Sequence, residues 1–463
     1  MASAIILLPF YITFLPKSAY GALSLYLSFS LFIQILVAYS FDTSLYVHYH
    51  DYKKDPPKLS AFISSAFIFM LIIAAGIGLI IIPSGELIFG LIFKEDKISF
   101  YPFGILAFAT GVFQALFKVY TNLLQSREKP LQFLWSNLIL FSVIAGLTIA
   151  GLYVFPETLI GPVGARAIAG LLGMFWVLYR INREFGFHFD FALLKSTFGF
   201  SHYSFVYQIQ QWFINYSDRF IMLFAGLSLS SIGVYDFALK CLVVIEVIMN
   251  GLNNSFLPKV ISTVTAQTIK STTTEINRYY HGLIAAVMLM VSGAILVLPF
   301  VVEILDGKES YRDAIPYFPY IAILYILKSM RIYFAFPYGV LKYMKPLPLI
   351  YTFVTLFKIG LMILLVNQFQ IYGLVIASLV SLVVELVILK HQLREKFTFK
   401  FNVFKIIIAP IFLLIAIMIL EPLLSAHYAL SVHIFYVVLA VTFLFWIYRR
   451  EINMTIFTKL LKS

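Results

Sequence analysis

Several ionisable side chains lie inside long stretches of otherwise apolar sequence. The basic ones are Lys118, Arg166, Arg219, Lys240, Lys328, Arg331 and Lys358, and the acidic ones are Asp42, Asp218, Asp236, Glu246 and Glu385. A charge at the centre of a bilayer costs about 2.5–3.5 kcal/mol even on the mildest scale. We therefore expect most of them to face one another, a water-filled cavity or the membrane interface. Because the bases outnumber the acids, the predicted cavity is positive and suits an anion such as a phosphate or pyrophosphate group.

The basic residues are the first candidates for binding such an anion. Those without an obvious acid on the same predicted helix are expected to face the cavity: Lys118, Lys328, Arg331 and Lys358. The alternative is that their side chains extend to the nearest membrane interface. This alternative is strongest for Lys118. Helical spacing places Gln211 and Asn215 on one face with Asp218, so both amides join the predicted binding residues.

The acidic residues are candidates for coupling to H⁺ or Na⁺, because buried carboxylates can titrate near neutral pH. This group comprises Asp42, Asp218, Asp236, Glu246 and Glu385. For any one of them the alternative is a carboxylate that is simply paired or faces the interface. Asp218 and Arg219 could form an anchoring ion pair, and Asp236 could neutralise Lys240 one helical turn away.

The composition places these charges in a membrane protein. Hydrophobic residues make up 61% of the 463-residue chain and charged residues 12%, whereas soluble proteins average about 45–50% and about 25%. These values exclude an ordinary soluble enzyme, a disordered protein and a secreted disulfide scaffold. The single cysteine, Cys241, excludes an intrachain disulfide and a cysteine-based metal cluster. The long continuous apolar runs favour helices over a barrel.

Fourteen apolar runs are candidate transmembrane helices, since about 20 residues cross the hydrocarbon core. They lie at 1–15, 20–48, 59–82, 99–124, 132–153, 160–180, 201–225, 232–256, 281–303, 316–340, 347–367, 371–390, 405–420 and 430–448. The first run is short for a full span, and no cleavable signal peptide is apparent. The predicted fold is an all-α polytopic membrane protein.

The distribution of basic residues predicts the orientation. Lys and Arg are concentrated in alternate loops, which places both termini in the cytosol. The net charge of +12 follows mostly from this bias, so we expect no nucleic-acid partner.

A short internal repeat suggests two halves. Residues 14–24 resemble residues 226–236, with Gly21 aligned to Gly233 at an offset of 212. Six intervening spans predict parallel repeats about an axis along the membrane normal, with a site between the halves, as in many secondary transporters. The expected organisation is a six-helix lobe at 1–180, a cytosolic linker at 181–200, a second six-helix lobe at 201–390, and a helix pair with a basic cytosolic tail at 391–463.

Two segments resemble the polysaccharide-transport (oligosaccharide flippase) family of the multidrug/oligosaccharidyl-lipid/polysaccharide exporter superfamily. The first segment, 8–44, contains Leu8-Pro9, Leu15-Pro16, Tyr20-Gly21 and Phe41-Asp42-Thr43-Ser44. The second, 215–240, matches the signature of the seventh and eighth spans through Asp218, Arg219, Gly233, Tyr235 and Lys240. Of the charged candidates in this signature, only Asp218, Arg219 and Lys240 match the family's positions. The short first span departs from the pattern, and the C-terminal spans match in hydropathy alone.

The resemblance implies two six-helix lobes around a central cleft, two extra helices, and alternating access. It implies transport of an undecaprenyl-pyrophosphate-linked oligosaccharide from the inner to the outer leaflet of a bacterial plasma membrane. No Gly-x-x-x-x-Gly-Lys-Ser/Thr motif is present, so transport would be facilitated or coupled to H⁺ or Na⁺, without another cofactor. The expected partners are the lipid-linked oligosaccharide, the bilayer and polysaccharide polymerases or glycosyltransferases. We expect a monomer that is not an enzyme.

Three alternatives remain open. A multidrug–cation antiporter of the same superfamily would need a cavity rich in acids and aromatics. A membrane glycosyltransferase or polysaccharide polymerase would need catalytic residues on a sizeable outer loop, whereas the loops around 83–98 and 303–318 are short. A flippase for peptidoglycan or teichoic-type precursors is barely distinguishable from the sequence.

Overall fold

The protein is built from helices over the part of the chain that the structure describes. This computed structural model describes residues 2–93, 98–266, 271–304, 310–341, 343, 345–413, 415–417 and 430–452. The helices are α1 (Ala2–Phe14), α2 (Lys17–Ala38), α3 (Phe41–Tyr52), α4 (Pro56–Ile92), α5 (Ile105–Ser126), α6 (Pro130–Val154), α7 (Ile160–Phe185), α8 (Phe191–Phe224), α9 (Leu229–Ala266), α10 (Thr274–Ile304), α11 (Phe318–Val340), α12 (Leu347–Gln392), α13 (helical at 404–413 and 415–417) and α14 (Leu430–Ile452). This architecture confirms the all-α prediction.

Eight helical segments of the described chain are long and apolar enough to cross a membrane. Helices α8 and α9 are as long as these and are not among the eight. The count of fourteen spans therefore stays a prediction. The end of the predicted run 405–420 and the basic tail after residue 452 lie outside the described residues.

Three predicted runs are interrupted or joined in ways that matter for the site. The run 20–48 is broken between α2 and α3, where Tyr39 and Ser40 adopt positive φ angles of 44° and 60°. The runs 347–367 and 371–390 form one element, α12, which reverses at Gln370 (φ 50°, ψ −126°). A Cβ on Gly373 would lie 2.5 Å from the carbonyl oxygen of Leu365, so the two arms of α12 form a tight hairpin.

Polar residues at loop ends set where the long helices begin. The Asp55 side chain accepts a hydrogen bond from the Lys58 amide (3.3 Å) at the start of α4, where prolines fill the first turn. Asp190 accepts from the amides of Ala192 and Leu193 at 2.9 and 3.3 Å and begins α8.

Contacts divide the chain into two compact units, residues 9–233 and residues 1–8 with 234–463. In the first unit, α2, α3, α4, α5 and α7 enclose a core that includes Phe41, Phe62, Phe67 and Tyr120. In the second, α10 packs on α11 and α14, and α11 packs on α12. The lobes predicted from the repeat, 1–180 and 201–390, are defined by a different criterion and stay a prediction.

The glycines aligned by the internal repeat meet within the first unit. A Cβ added to Gly21 would lie 2.0 Å from the carbonyl oxygen of Leu229, and one added to Gly233 would lie 2.2 Å from that of Lys17. Lys17 and Leu229 are separated by the same offset as the two glycines. The contact is therefore reciprocal, as expected where two equivalent elements meet about a two-fold axis.

Candidate functional site

In the second unit, five of the predicted residues form a group that we call the C-terminal charge cluster: Glu246, Lys328, Arg331, Lys358 and Glu385. Helix α9 supplies Glu246, α11 supplies Lys328 and Arg331, and α12 supplies Lys358 and Glu385. The spacing of three residues places Lys328 and Arg331 on neighbouring positions of one helix face. The hairpin at Gln370 places Lys358 and Glu385 on opposite arms of α12.

Two ion pairs organise the C-terminal charge cluster. Lys328 Nζ lies 3.0 Å from Glu246 Oε2 and 4.8 Å from the centroid of the Tyr325 ring. Arg331 Nη1 lies 3.8 Å from Glu385 Oε1, and the Glu385 side chain is only 1% exposed. Arg331, Lys358 and Lys328 all attract the Glu385 carboxylate electrostatically. Among the described residues, Glu385 Oε1 accepts no hydrogen bond within ordinary geometry.

The C-terminal charge cluster carries more positive than negative charge. Its three cations face two carboxylates, and Lys358 is buried to 7% exposure. Cations in an apolar interior attract an anion more strongly than cations in water do, because the dielectric constant is lower. Arg331 also offers the planar donor fork that suits a phosphate oxygen pair.

A second group, which we call the N-terminal charge cluster, surrounds Asp42 in the first unit. Lys118 Nζ on α5 lies 2.8 Å from Asp42 Oδ2 on α3. The Gln208 amide on α8 donates to Asp42 Oδ1 and to the Ser40 hydroxyl, both at 3.1 Å. Asp42 also lies in the first turn of α3, where the helix dipole favours a negative charge. The carboxylate is thus held by three helices at the α2–α3 break.

The two side chains of this ion pair differ in exposure. The Lys118 side chain is 39% exposed and that of Asp42 only 6%. An exposed lysine retains part of its hydration, so this ion pair is worth less than a fully buried one.

Arg219 and Arg166 have partners outside the two charge clusters. Arg219 Nη1 lies 3.0 Å from Asp218 Oδ1, both side chains are about 95% buried, and the guanidinium lies over the Tyr216 ring. Arg166 donates to the Tyr11 hydroxyl at 2.8 Å and to the Pro162 carbonyl at 3.1 Å. The Arg219 geometry favours the anchoring ion pair over an open binding site.

The predicted polar residues on α8 and α9 differ in their burial and in their hydrogen bonds. The Asn215 amide donates to the Gln211 carbonyl of its own helix at 2.7 Å. Gln211 Nε2 is buried without a hydrogen-bond partner among the described residues. Asp236 is 3% exposed and Lys240 is half-buried. Whether Asp236 and Lys240 neutralise each other stays a prediction.

Sequence reasoning identified the charged members of both clusters but missed two polar ones. Ser40 and Gln208, which bracket Asp42, were not among the predicted residues. A signal for Gln208 exists, since it precedes Gln211 by three residues and so lies near the polar face predicted for this helix. Ser40 carries no comparable signal, because its role depends on the break after α2.

We expect Asp42→Asn to lower stability by about 1–2 kcal/mol, less than the ~3–5 kcal/mol of a fully buried pair, because Lys118 can reach water. Removing the lysine charge as well, in Asp42→Asn/Lys118→Met, should recover part of the loss. Thermal unfolding of the purified protein measures both. Asp51→Asn, at an exposed position on the same helix, is the matched control. Equal stability of all four proteins would show that the ion pair has no structural weight.

The lengths of the apolar helices are those of a multi-pass membrane protein. A family model described as "Polysaccharide biosynthesis protein" matches residues 2–263, which is more than half of the chain. The chain belongs to this family, and the resemblance found in residues 8–44 and 215–240 is confirmed.

Solved structures share the fold. A structure described as "Lipid II flippase MurJ, inward closed conformation" superposes with a TM-score of 0.75 at 15% identity, covering 98% of this chain and 97% of that one. An inward-facing multidrug resistance MATE family transporter of the MOP superfamily gives 0.63 at 14% identity, covering 85% and 95%. These likenesses establish the fold. No curated protein matches the chain by sequence.

Proposed function

We propose that this protein is a flippase that moves an undecaprenyl-pyrophosphate-linked oligosaccharide across the bacterial inner membrane by alternating access, without hydrolysing ATP itself. The observation that carries the proposal is the C-terminal charge cluster, where three cations face two carboxylates inside apolar helices. These cations would attract a pyrophosphate, while its prenyl chain stays in lipid. Membership of the polysaccharide biosynthesis family supports a saccharide cargo.

The sign of the charge favours this cargo over that of a multidrug–cation antiporter. A cationic drug would add positive charge to a cluster that already has an excess of it, and the resulting repulsion grows as the dielectric constant falls. The likeness to a MATE transporter is therefore one of fold. The likeness to a lipid II flippase supports a lipid-linked cargo. That the cargo of this protein carries an oligosaccharide is our proposal.

We further propose that H⁺ or Na⁺ drives the cycle through at least one carboxylate. The candidates are Asp42, Asp218, Asp236, Glu246 and Glu385, each of which lies within an apolar stretch of the sequence. Neutral replacement of Asp42, Asp236, Glu246 or Glu385, one at a time, should abolish the ion dependence of transport in at least one variant. Unchanged ion dependence in all four would exclude coupling through these groups.

The direct test is deletion of the gene followed by identification of the lipid-linked saccharides in the membrane. We expect one undecaprenyl-pyrophosphate-linked repeat unit to accumulate on the cytosolic leaflet and the corresponding surface polysaccharide to disappear. Complementation with the wild-type gene should reverse both effects. A normal envelope together with hypersensitivity to cationic drugs would support the antiporter instead. Accumulation of the peptidoglycan precursor would keep the flippase and replace its substrate.

We also propose an orientation of this protein in the membrane and the proteins that act with it. Both termini lie in the cytosol, the protein acts as a monomer, and glycosyltransferases and a polysaccharide polymerase act before and after it. Cysteine accessibility at positions in the predicted inner and outer loops tests the orientation.

A further inference from the structure

A groove between α5, α6 and α7 lies in the first unit, outside both charge clusters. Its volume is about 670 Å³, within the range of about 300–1,000 Å³ that is typical of small-molecule sites. Its lining is mostly apolar and includes Phe117, Trp135, Leu140 and Trp176, with Arg180 and Tyr120 at one end. Neither the sequence-based predictions nor the proposed transport cycle uses it.

Helices α6 and α7 approach each other closely at one end. A Cβ on Gly151 would lie 2.5 Å from the Gly161 Cα, so the two helices touch at the ends joined by their connecting loop. The groove lies further along, at 131–143 of α6 and 169–180 of α7. Most of α6 is exposed, with Thr148 and Leu152 as its buried residues. The groove therefore opens towards the lipid rather than towards the interior of the unit.

The polar end of the groove has an excess of positive charge. The Arg180 guanidinium donates to the Tyr120 hydroxyl from Nε at 3.3 Å, and its Nη2 lies 2.5 Å from Glu184 Oε1. The same carboxylate also pairs with Arg127 at 2.5 Å. Two guanidinium groups thus share one carboxylate, and Arg180 remains 29% exposed. A guanidinium has five N–H donors, so Arg180 retains donors for a phosphate oxygen.

The level of this end in the membrane is indicated by its tryptophans. Trp135 is 58% exposed and Trp176 is 38% exposed, and exposed tryptophans of membrane proteins concentrate at the headgroup level. The predicted orientation places the connection between α5 and α6 in the cytosol. Anionic lipids are enriched in the cytosolic leaflet, and basic pockets between transmembrane helices on this side bind their headgroups.

We propose that this groove binds an anionic phospholipid of the cytosolic leaflet, with its phosphate at Arg180 and one acyl chain along the apolar wall formed by α6 and α7. The charge complementarity at Arg180 selects an anionic headgroup over a zwitterionic one. The groove is a lipid site that does not carry the transported cargo.

The test uses the full-length protein in detergent, titrated with phosphatidylglycerol or phosphatidylethanolamine, with bound lipid counted by native mass spectrometry. We expect wild-type protein to retain phosphatidylglycerol preferentially, and Arg180→Gln to weaken that binding roughly tenfold through loss of one charge-assisted hydrogen bond. Arg183→Gln, at an exposed position one residue before Glu184, is the control and should bind as wild type does.

A second pair of variants tests the apolar wall without changing charge. Ser136→Trp fills the groove and should abolish the preferential binding, whereas Leu138→Trp, on the same helix but outside the lining, should not. Binding of both lipids to the same extent by wild-type protein, or unchanged binding by Arg180→Gln and Ser136→Trp, would overturn the proposal. Displacement of phosphatidylglycerol by undecaprenyl phosphate at equal concentration would also overturn it, by assigning the groove to the cargo lipid.

Discussion

Replacing Lys328 and Arg331 together by glutamine is expected to abolish export of the surface polysaccharide while the protein still accumulates in the membrane. Each charge-assisted hydrogen bond to a pyrophosphate contributes about 1.5–3 kcal/mol, so the loss of two predicts at least a ~100-fold reduction in transport. The measurement is transport of the lipid-linked saccharide in reconstituted vesicles, normalised to the amount of protein. Normal export by this double variant would remove both cations from the binding site.

The double variant also strips Glu246 and Glu385 of ion-pair partners, so a matched control is needed. The variant Glu246→Gln/Lys328→Gln/Arg331→Gln/Glu385→Gln removes both ion pairs and restores the charge balance. If it folds but does not transport, the cations bind the cargo. If it transports as wild type does, the cations serve only to neutralise the acids. The exchange Lys328→Arg/Arg331→Lys keeps both charges and should retain part of the activity.

The second large effect is expected at the reciprocal glycine contact. Gly21→Ala or Gly233→Ala would place a methyl group about 2 Å from a backbone carbonyl oxygen of the facing helix. A backbone atom cannot rotate away as a side chain can, so we expect a loss at the upper end of the ~1–3 kcal/mol range for overpacking. Thermal unfolding of the detergent-solubilised protein measures this loss, and the same variants should also lose transport.

Gly251→Ala is the matched control, because Gly251 lies on α9 like Gly233 and a Cβ there would meet nothing within 4 Å. Alanine in an open helical position is expected to stabilise the helix by about 0.5–1 kcal/mol relative to glycine. Equal thermal stability of Gly21→Ala, Gly233→Ala and Gly251→Ala would contradict the close approach of the two backbones.

Much of the fold could be predicted from the sequence because a membrane imposes a length on apolar helices. Runs such as 132–153 and 160–180 coincide with α6 and α7 within a few residues. The boundary between the runs 347–367 and 371–390 coincides with the reversal at Gln370. The break at Tyr39 and Ser40 was not predicted, since neither residue is a glycine or a proline and the positive φ angles depend on surrounding packing.

The residues of the candidate site could be predicted from the sequence, but the ion pairs that they form with one another could not. The cost of a charge in lipid singled out Lys118, Lys328 and Arg331, which have no obvious acid on their own helices. Their partners Asp42, Glu246 and Glu385 were assigned to a separate group of coupling residues, and the structure brings the two groups together. Pairing between helices depends on rotation about each helix axis, which a single sequence does not specify.

Because α12 is a hairpin, the number of residues in its two arms determines where the charges on those arms lie. Lys358 and Glu385 lie on arms that run in opposite directions from Gln370, so inserting one residue between the reversal and either charge would rotate that side chain by about 100° around its arm. The insertion would leave composition, hydropathy and net charge almost unaltered, yet it would turn one charge of the cluster away from the other. Loop-length variation is usually tolerated in membrane proteins, whereas we expect an insertion between these two charges to impair the proposed cargo site.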